Sequence, residues 1–303
     1  MGDPLKLTGV LFFPVTPYDS HGDVAPGVLA EHLATGLEHG PGGVFAACGT
    51  GEISALSEDE QALVVRTAVQ ETGGRVPVIA GAGGPLGSAL AHARRAAEAG
   101  ADGVLLLPPY LTQGTAAGLR AYVRAVAEVG LPVILYQRGP VVLEPADAVA
   151  LAAVPGVTGF KDGLGDIDRM QRIMCALRAA GAELTFFNGL PTAELTMPAY
   201  RGIGVDLYSS AAFCFVPEVA QAFHAALTDN PALVQRLLAD FYAPLVELRN
   251  QAPGYAVSLV KEGVRQRGLD VGPARAPLTP PSAEHRAELS RIIEAGLSLV
   301  PAS

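Results

Sequence analysis

The chain has 303 residues and a mass of 31.2 kDa, room for two domains or one large α/β unit, and half of it is apolar, enough for a large buried core. Lys+Arg 21 against Asp+Glu 30 leaves a net charge of −9, which argues against nucleic acid or an anionic membrane as a partner. No stretch reaches the roughly 18 uninterrupted apolar residues of a spanning helix, and the 35 Gly and 24 Pro punctuate the chain without clustering, which excludes disordered and collagenous classes.

The first six residues, Met1 to Lys6, lack the basic and apolar regions of a signal peptide. Lys6 also stands where an N-terminal acylation motif needs Ser or Thr. Cys48, Cys175 and Cys214 are few, odd in number and far apart, so reduced thiols in a cytoplasmic protein are expected, with no zinc motif. Further along, short apolar runs alternate with longer stretches of helical period. The runs are 9–15, 43–47, 77–81, 103–107, 132–136, 157–161, 184–188 and 204–209. Between them the pattern predicts helices near 27–39, 57–72, 86–99, 114–129, 144–153, 166–180, 191–201 and 217–227. Ser57 to Glu60 forms a capping box, and Asp166 and Asp229 are candidate caps.

The runs are continuously apolar, as strands buried on both faces are. Eight strand–helix units predict an α/β (β/α)8 barrel over residues 1–229. A doubly wound sheet would need a dinucleotide fingerprint, and the nearest candidate, Gly81 to Gly87, has Leu86 in place of its third glycine. That segment reads as a tight barrel loop. From Pro231 the strand runs stop, and 231–250, 253–267 and 282–296 predict a three-helix C-terminal extension over 230–303. Such an appendage is expected on the outside of the barrel, helping to build an oligomer.

Chemistry in a barrel of this kind sits at the carboxyl ends of the strands. The residues expected there are Thr16, Gly49 to Glu52, Tyr110, Tyr136 to Arg138, Lys161 and Asp162, Asn188 and Gly189, and Tyr208 to Ser210. Lysine usage sharpens the choice, because 18 of the 21 Lys+Arg are arginine and only Lys6, Lys161 and Lys261 are lysine. A desolvated lysine can lose its proton and attack a carbonyl, whereas arginine stays charged. Lys161 is therefore either a nucleophile or the partner of Asp162. Lys6 and Lys261 are expected to face solvent. Tyr136, on the neighbouring strand end, is either a proton relay for an amine adduct or an aromatic plug. Asn188, Ser209 and Ser210 either hydrogen-bond a substrate or cap their strands. Arg138 either pairs with a carboxylate or makes an outward salt bridge. Glu52 is expected to brace the second loop rather than act as a base. The six histidines fall in helices or outer loops, and His32 and His39 are expected on the surface, so no metal site is expected.

These residues resemble a known family. Phe13-Pro14-Val15-Thr16-Pro17, Gly49-Thr50-Gly51-Glu52, Leu107-Pro108-Pro109-Tyr110, Tyr136 and Gly159-Phe160-Lys161-Asp162 are similar, in order and spacing, to the superfamily of dihydrodipicolinate synthase and N-acetylneuraminate lyase. The likeness covers essentially the whole chain. Within it, Gly159 to Asp166, Gly189 to Glu194, Tyr208 to Ala211 and Lys261 to Gly263 resemble the branch of 5-dehydro-4-deoxyglucarate dehydratases. Leu111 replaces the synthase branch's second tyrosine, Gly49 its first threonine, and Pro191-Thr192 the lyase branch's acidic pair. Gln137 stands where the dehydratase branch has Asn.

The resemblance implies a lyase, a decarboxylating hydro-lyase of glucarate degradation. Lys161 would form a Schiff base and Tyr136 relay protons, while Gly49 and Thr50 hold the carboxylate beside the ketone. Asn188, Gly189, Ser209, Ser210 and Arg138 would bind the rest of a keto-dicarboxylate. It implies no metal, no dissociable cofactor and a homotetramer. Another pyruvate-dependent aldolase of the superfamily and a non-catalytic ligand-binding barrel are the competing readings.

Overall fold

The computed structural model describes residues 5–109 and 114–301; Tyr110 and Leu111 lie outside the described residues. Eight parallel strands close into one barrel in sequence order: β1 (Val10–Phe12), β2 (Gly43–Ala46), β3 (Val78–Ala82), β4 (Gly103–Leu106), β5 (Val133–Gln137), β6 (Val157–Asp162), β7 (Thr185–Asn188) and β8 (Leu207–Ser210). Eight helices alternate with them: α1 (Pro26–Glu38), α2 (Glu58–Thr72), α3 (Leu86–Ala99), α4 (Ala116–Ala127), α5 (Pro145–Ala152), α6 (Ile167–Ala179), α7 (Met197–Gly202) and α8 (Pro217–Asp229). Every strand sits within its apolar run or one residue beyond it. The 191–201 helix is broken, with a 3-10 turn over Ala193–Thr196 before α7.

Side chains alternate between two cores, as the period of a strand requires. Leu11, Phe45, Ile79, Leu105, Ile134 and Phe187 fill the barrel lumen. Val10, Phe12, Val44, Ala80, Val104, Val133 and Phe160 face the surrounding helices. Both faces are apolar, which is why the runs show no alternation in sequence.

Local signals account for several helix starts. Ser57 Oγ accepts from the Glu60 amide and Glu60 returns a bond to the Ser57 amide, completing the capping box. Asp166 accepts from the Arg169 amide and caps α6. Asp229, in contrast, ends α8, and the cap of the next helix is Asn230, whose Oδ1 accepts from the Leu233 amide. The segment Gly81 to Gly87 completes β3 and turns into α3, with Gly84 at φ +87°.

The C-terminal segment holds α9 (Pro231–Leu237), a π turn over Leu238–Tyr242, α10 (Ala243–Arg249), α11 (Tyr255–Gln266) and α12 (Ala283–Ser298). Its placement corrects the expectation of a purely external appendage. Leu245 and Arg249 of α10 and Tyr255 to Val257 of α11 line the cavity at the carboxyl ends of the strands. No helix among the described residues is long and apolar enough to cross a membrane.

Two surface expectations are also overturned. Lys261 is 1% exposed, and its Nζ donates to Glu52 Oε1 (3.0 Å), the Thr16 carbonyl (2.8 Å) and the Pro273 carbonyl (3.1 Å). Three donors meet three acceptors, so the charge is fully satisfied. His32 is buried edge-on against Phe12, and burial pushes its imidazole down to about 4, so it packs as a neutral ring. His39 is half-buried.

Candidate active site

Register brings the chemistry together. Across β5–β6, Tyr136 pairs with Lys161, and across β6–β7 Lys161 pairs with Phe187. All three point into the lumen at its carboxyl end. Asp162, one residue on, points the opposite way. There its carboxylate accepts from Gln137 Nε2 (2.9 Å), the Leu164 amide (3.1 Å) and the Tyr200 hydroxyl. Asp162 is thus a brace between β6 and its shell, and the pairing of Lys161 with Asp162 does not occur.

Lys161 is 4% exposed. Its Nζ lies 4.1 Å from the Phe13 ring centre and 4.5 Å from that of Tyr136, and among the described residues it makes no ion pair. Burial in these apolar surroundings lowers the amine from 10.5 to about 7, and the Arg138 guanidinium pushes the same way. A neutral, nucleophilic amine is therefore populated near neutrality. Gly189 makes room for the side chain, because a Cβ there would stand 2.4 Å from Lys161 Cγ and Cε.

The Tyr136 hydroxyl donates to the Gly189 carbonyl (2.8 Å) and accepts from Arg138 Nη1 (3.3 Å). Gly163 leaves space for its ring, since a Cβ would meet Tyr136 Cε2 at 2.8 Å. On the facing wall, Gly49 and Thr50 line the cavity. Their loop is held by Thr16 Oγ1, which donates to the Gly51 carbonyl (2.7 Å), and by Glu52, anchored on Lys261 and on the Arg275 amide. Ala47 (φ +50°) and Glu52 (φ +57°) flank it in the left-handed region, a cost that the surrounding contacts must offset. Glu52 braces the loop, as expected.

Strand parity separates the remaining candidates. Ser209 and Gly189 line the cavity, which opens to solvent at its mouth. Asn188 and Ser210 sit behind it and do not line it. Asn188 Nδ2 donates to the Ala193 carbonyl and Thr196 Oγ1, and Ser210 Oγ donates to buried Glu194 while accepting from the Phe213 amide. Of the two roles open to them, these contacts are those of strand-end braces. Arg138 lines the cavity, its guanidinium 5.8 Å from the Tyr136 ring centre.

Two cavity-lining residues, Arg249 and Tyr255, are absent from the sequence candidates, and Lys261, expected in solvent, is instead the buried anchor of the Glu52 loop. Lysine scarcity singles out Lys261 as it does Lys161. Arg249 and Tyr255 carried no comparable signal.

A (β/α)8 barrel that presents a readily deprotonated lysine beside a phenol at its mouth defines a class, the barrel lyases that work through an amine. More narrowly, the chain belongs to the dihydrodipicolinate synthetase family, whose model matches residues 6–296. It is 54% identical over 297 residues to a protein of Streptomyces coelicolor named probable 5-dehydro-4-deoxyglucarate dehydratase 1, covering 97% of this chain and 94% of that one. A relative from Paracidovorax citrulli, named probable 5-dehydro-4-deoxyglucarate dehydratase, is 44% identical and covers 95% of both chains. Among solved structures, dihydrodipicolinate synthase from Oceanobacillus iheyensis superposes with a TM-score of 0.88 at 25% identity, covering 97% of each chain. The chloride-inhibited synthase of Acinetobacter baumannii, complexed with pyruvate, gives 0.84 at 26%, covering 96% of this chain and 98% of that one.

Proposed function

We propose that this protein is a decarboxylating 5-dehydro-4-deoxyglucarate dehydratase, a hydro-lyase that yields 2,5-dioxopentanoate, CO2 and water. The observation that carries the reading is the buried Lys161 amine, paired with no carboxylate among the described residues and set against Tyr136. The names of the relatives at about half identity support the particular substrate.

The substrate has a ketone beside one carboxylate, then a methylene, then two hydroxyl-bearing carbons, then a distal carboxylate. Lys161 Nζ attacks the ketone, and loss of water gives an iminium that acidifies the methylene. Removal of that proton leaves an enamine, which expels the β-hydroxyl as water. The resulting unsaturation reaches the carbon bearing the distal carboxylate. Carbon dioxide leaves with its bonding electrons passing through the conjugated system to nitrogen. Protonation, tautomerisation of the enol and hydrolysis release 2,5-dioxopentanoate and return the amine. Net loss is one CO2 and one H2O.

In this reading Tyr136 moves protons at the imine nitrogen; its ring beside the Lys161 amine, and a hydroxyl held by Arg138 and the Gly189 carbonyl, support that role. Gly49 and Thr50 offer an amide and a hydroxyl for the carboxylate beside the ketone, and Ser209 faces the substrate hydroxyls. This scheme calls for no metal or dissociable cofactor. A cytoplasmic homotetramer accompanies it, with the small keto-dicarboxylate as its partner.

The test is purified protein with 5-dehydro-4-deoxyglucarate, following CO2 release alongside borohydride trapping and intact mass. Release of CO2, with an adduct on the wild type and none on Lys161→Ala, is the expected result. An adduct without CO2 would move the protein to pyruvate-type aldol chemistry, the reading favoured by the pyruvate-bound relative. No adduct with this substrate or with pyruvate would overturn the enzyme reading.

A further inference from the structure

In a chain of net charge −9, the cavity around Lys161 is lined by Arg138, Lys161 and Arg249 and, among its described residues, by no Asp or Glu. Two of these cations belong to the reacting end. Lys161 is the amine itself, and Arg138 bonds the Tyr136 hydroxyl and lowers the Lys161 pKa. Arg249 comes from elsewhere, at the last turn of α10. Among the described residues its guanidinium has only neutral partners: the Pro191 carbonyl, Thr192 Oγ1 (3.0 Å) and the side-chain oxygen of its neighbour Asn250. Other partly buried arginines of this protein meet carboxylates, such as Arg169 with Glu144 and Arg275 with Glu60. Arg249 is held half out of water with no carboxylate among the described residues to compensate, and burial lowers its pKa accordingly. A charge desolvated in this way is held ready for an incoming anion. The first turn of α11, which has no side-chain cap, lines the same wall, and the helix dipole adds positive potential there.

We infer that Arg249, carried by the C-terminal helices, binds the distal carboxylate of the substrate and makes this cavity selective for keto-dicarboxylates over keto-monocarboxylates. Arg138 then serves the ketone end. The inference rests on the proposed reaction for its natural substrate, but its selectivity is testable without turnover.

The probes are 2-oxoadipate and 2-oxohexanoate, keto acids of equal length that differ in the distal carboxylate and carry no hydroxyl to eliminate. Borohydride trapping against concentration gives half-saturation for each on the intact protein, with pyruvate as the one-ended control. One charge-assisted pair corresponds to a preference of ~10–100-fold for 2-oxoadipate in the wild type. Arg249→Gln should reduce it to within about threefold with pyruvate trapping unchanged, and should raise KM for 5-dehydro-4-deoxyglucarate more than it lowers kcat. Arg249→Lys should restore part of the preference, as a point charge in place of a fork. Full preference in Arg249→Gln, no preference in the wild type, or equal loss in Arg249→Gln and Arg249→Lys would overturn the inference. A wild type that prefers 2-oxoadipate yet releases no CO2 from the hydroxylated substrate would leave this selectivity standing and sink the proposed reaction instead.

Discussion

Two buried lysines, a hundred residues apart, show how environment divides labour within one side-chain type. Lys261 is enclosed by Glu52 and two carbonyls, each of its three N–H groups answered. Lys161 stands among the rings of Phe13, Tyr136 and Phe187 with no carboxylate partner among the described residues. Burial depresses both, to about 8 at Lys261, where Glu52 opposes the shift, and to about 7 at Lys161, where no comparable partner does. The paired lysine ties α11 to the loops after β1 and β2. The unpaired one has its charge destabilised and its lone pair available. A carboxylate at contact distance separates a clamp from a nucleophile.

Substitution should pull these two sites in opposite directions. Lys161→Met is expected to lose all turnover and all adduct formation while the fold becomes more stable. The folded pKa lies below the ordinary 10.5, so the unfolded chain holds that proton more tightly between about 7 and 10.5. The cost of burying the charge is complete below about 7 and is relieved as pH rises through 10.5. Removing it should stabilise by something on the order of a few kcal/mol at pH 6, with the gain shrinking by pH 10 in thermal melts. Lys261→Met should instead cost ~3–5 kcal/mol, because Glu52 is left buried without its partner. Denaturant titration of both variants that gave the same sign would collapse the contrast.

Tyr136→Phe should slow turnover by ~10²–10⁴ with Lys161 still trapped by pyruvate, and single-turnover kinetics would separate the two steps. A wild-type rate would make Tyr136 a packing residue. The pH profile of kcat/KM should rise through about 7 as the Lys161 amine deprotonates. An acid limb lying more than about two units higher would show that desolvation does not tune the nucleophile. The smallest expected effect concerns neighbours in sequence. Ser210→Ala should cost ~1–2 kcal/mol of stability with KM little changed, since its hydroxyl joins Glu194 and the Phe213 amide behind the sheet. Ser209→Ala should do the reverse, raising KM with stability little changed.

That pair marks where legibility in the sequence ended. Eight apolar runs, spaced by helical stretches with Ser57 and Asp166 as caps, were enough to write down a (β/α)8 barrel, and each strand lies where its run does. Lysine scarcity pointed to Lys161, and the place of Tyr136 at the end of the preceding run put it beside the amine. The motifs from Phe13 to Asp162 indicated the family. The same runs hid the direction of each side chain. A strand buried on both faces has no polar side to reveal its parity, so Lys161 and Asp162, or Ser209 and Ser210, look alike on paper while facing opposite cores.

What the amino-acid sequence determined by itself was therefore local and periodic: element order, most helix starts, the closed-barrel class and the residue type able to form an imine. Tertiary structure decided which of two adjacent residues enters the lumen. It also turned Lys261 inward to Glu52 across 209 positions and brought Arg249 of α10 over the mouth of a barrel that ends at β8. Those contacts join segments far apart in the chain, and their energies come from desolvation and charge pairing that exist only once the barrel has closed and the C-terminal helices have docked on it.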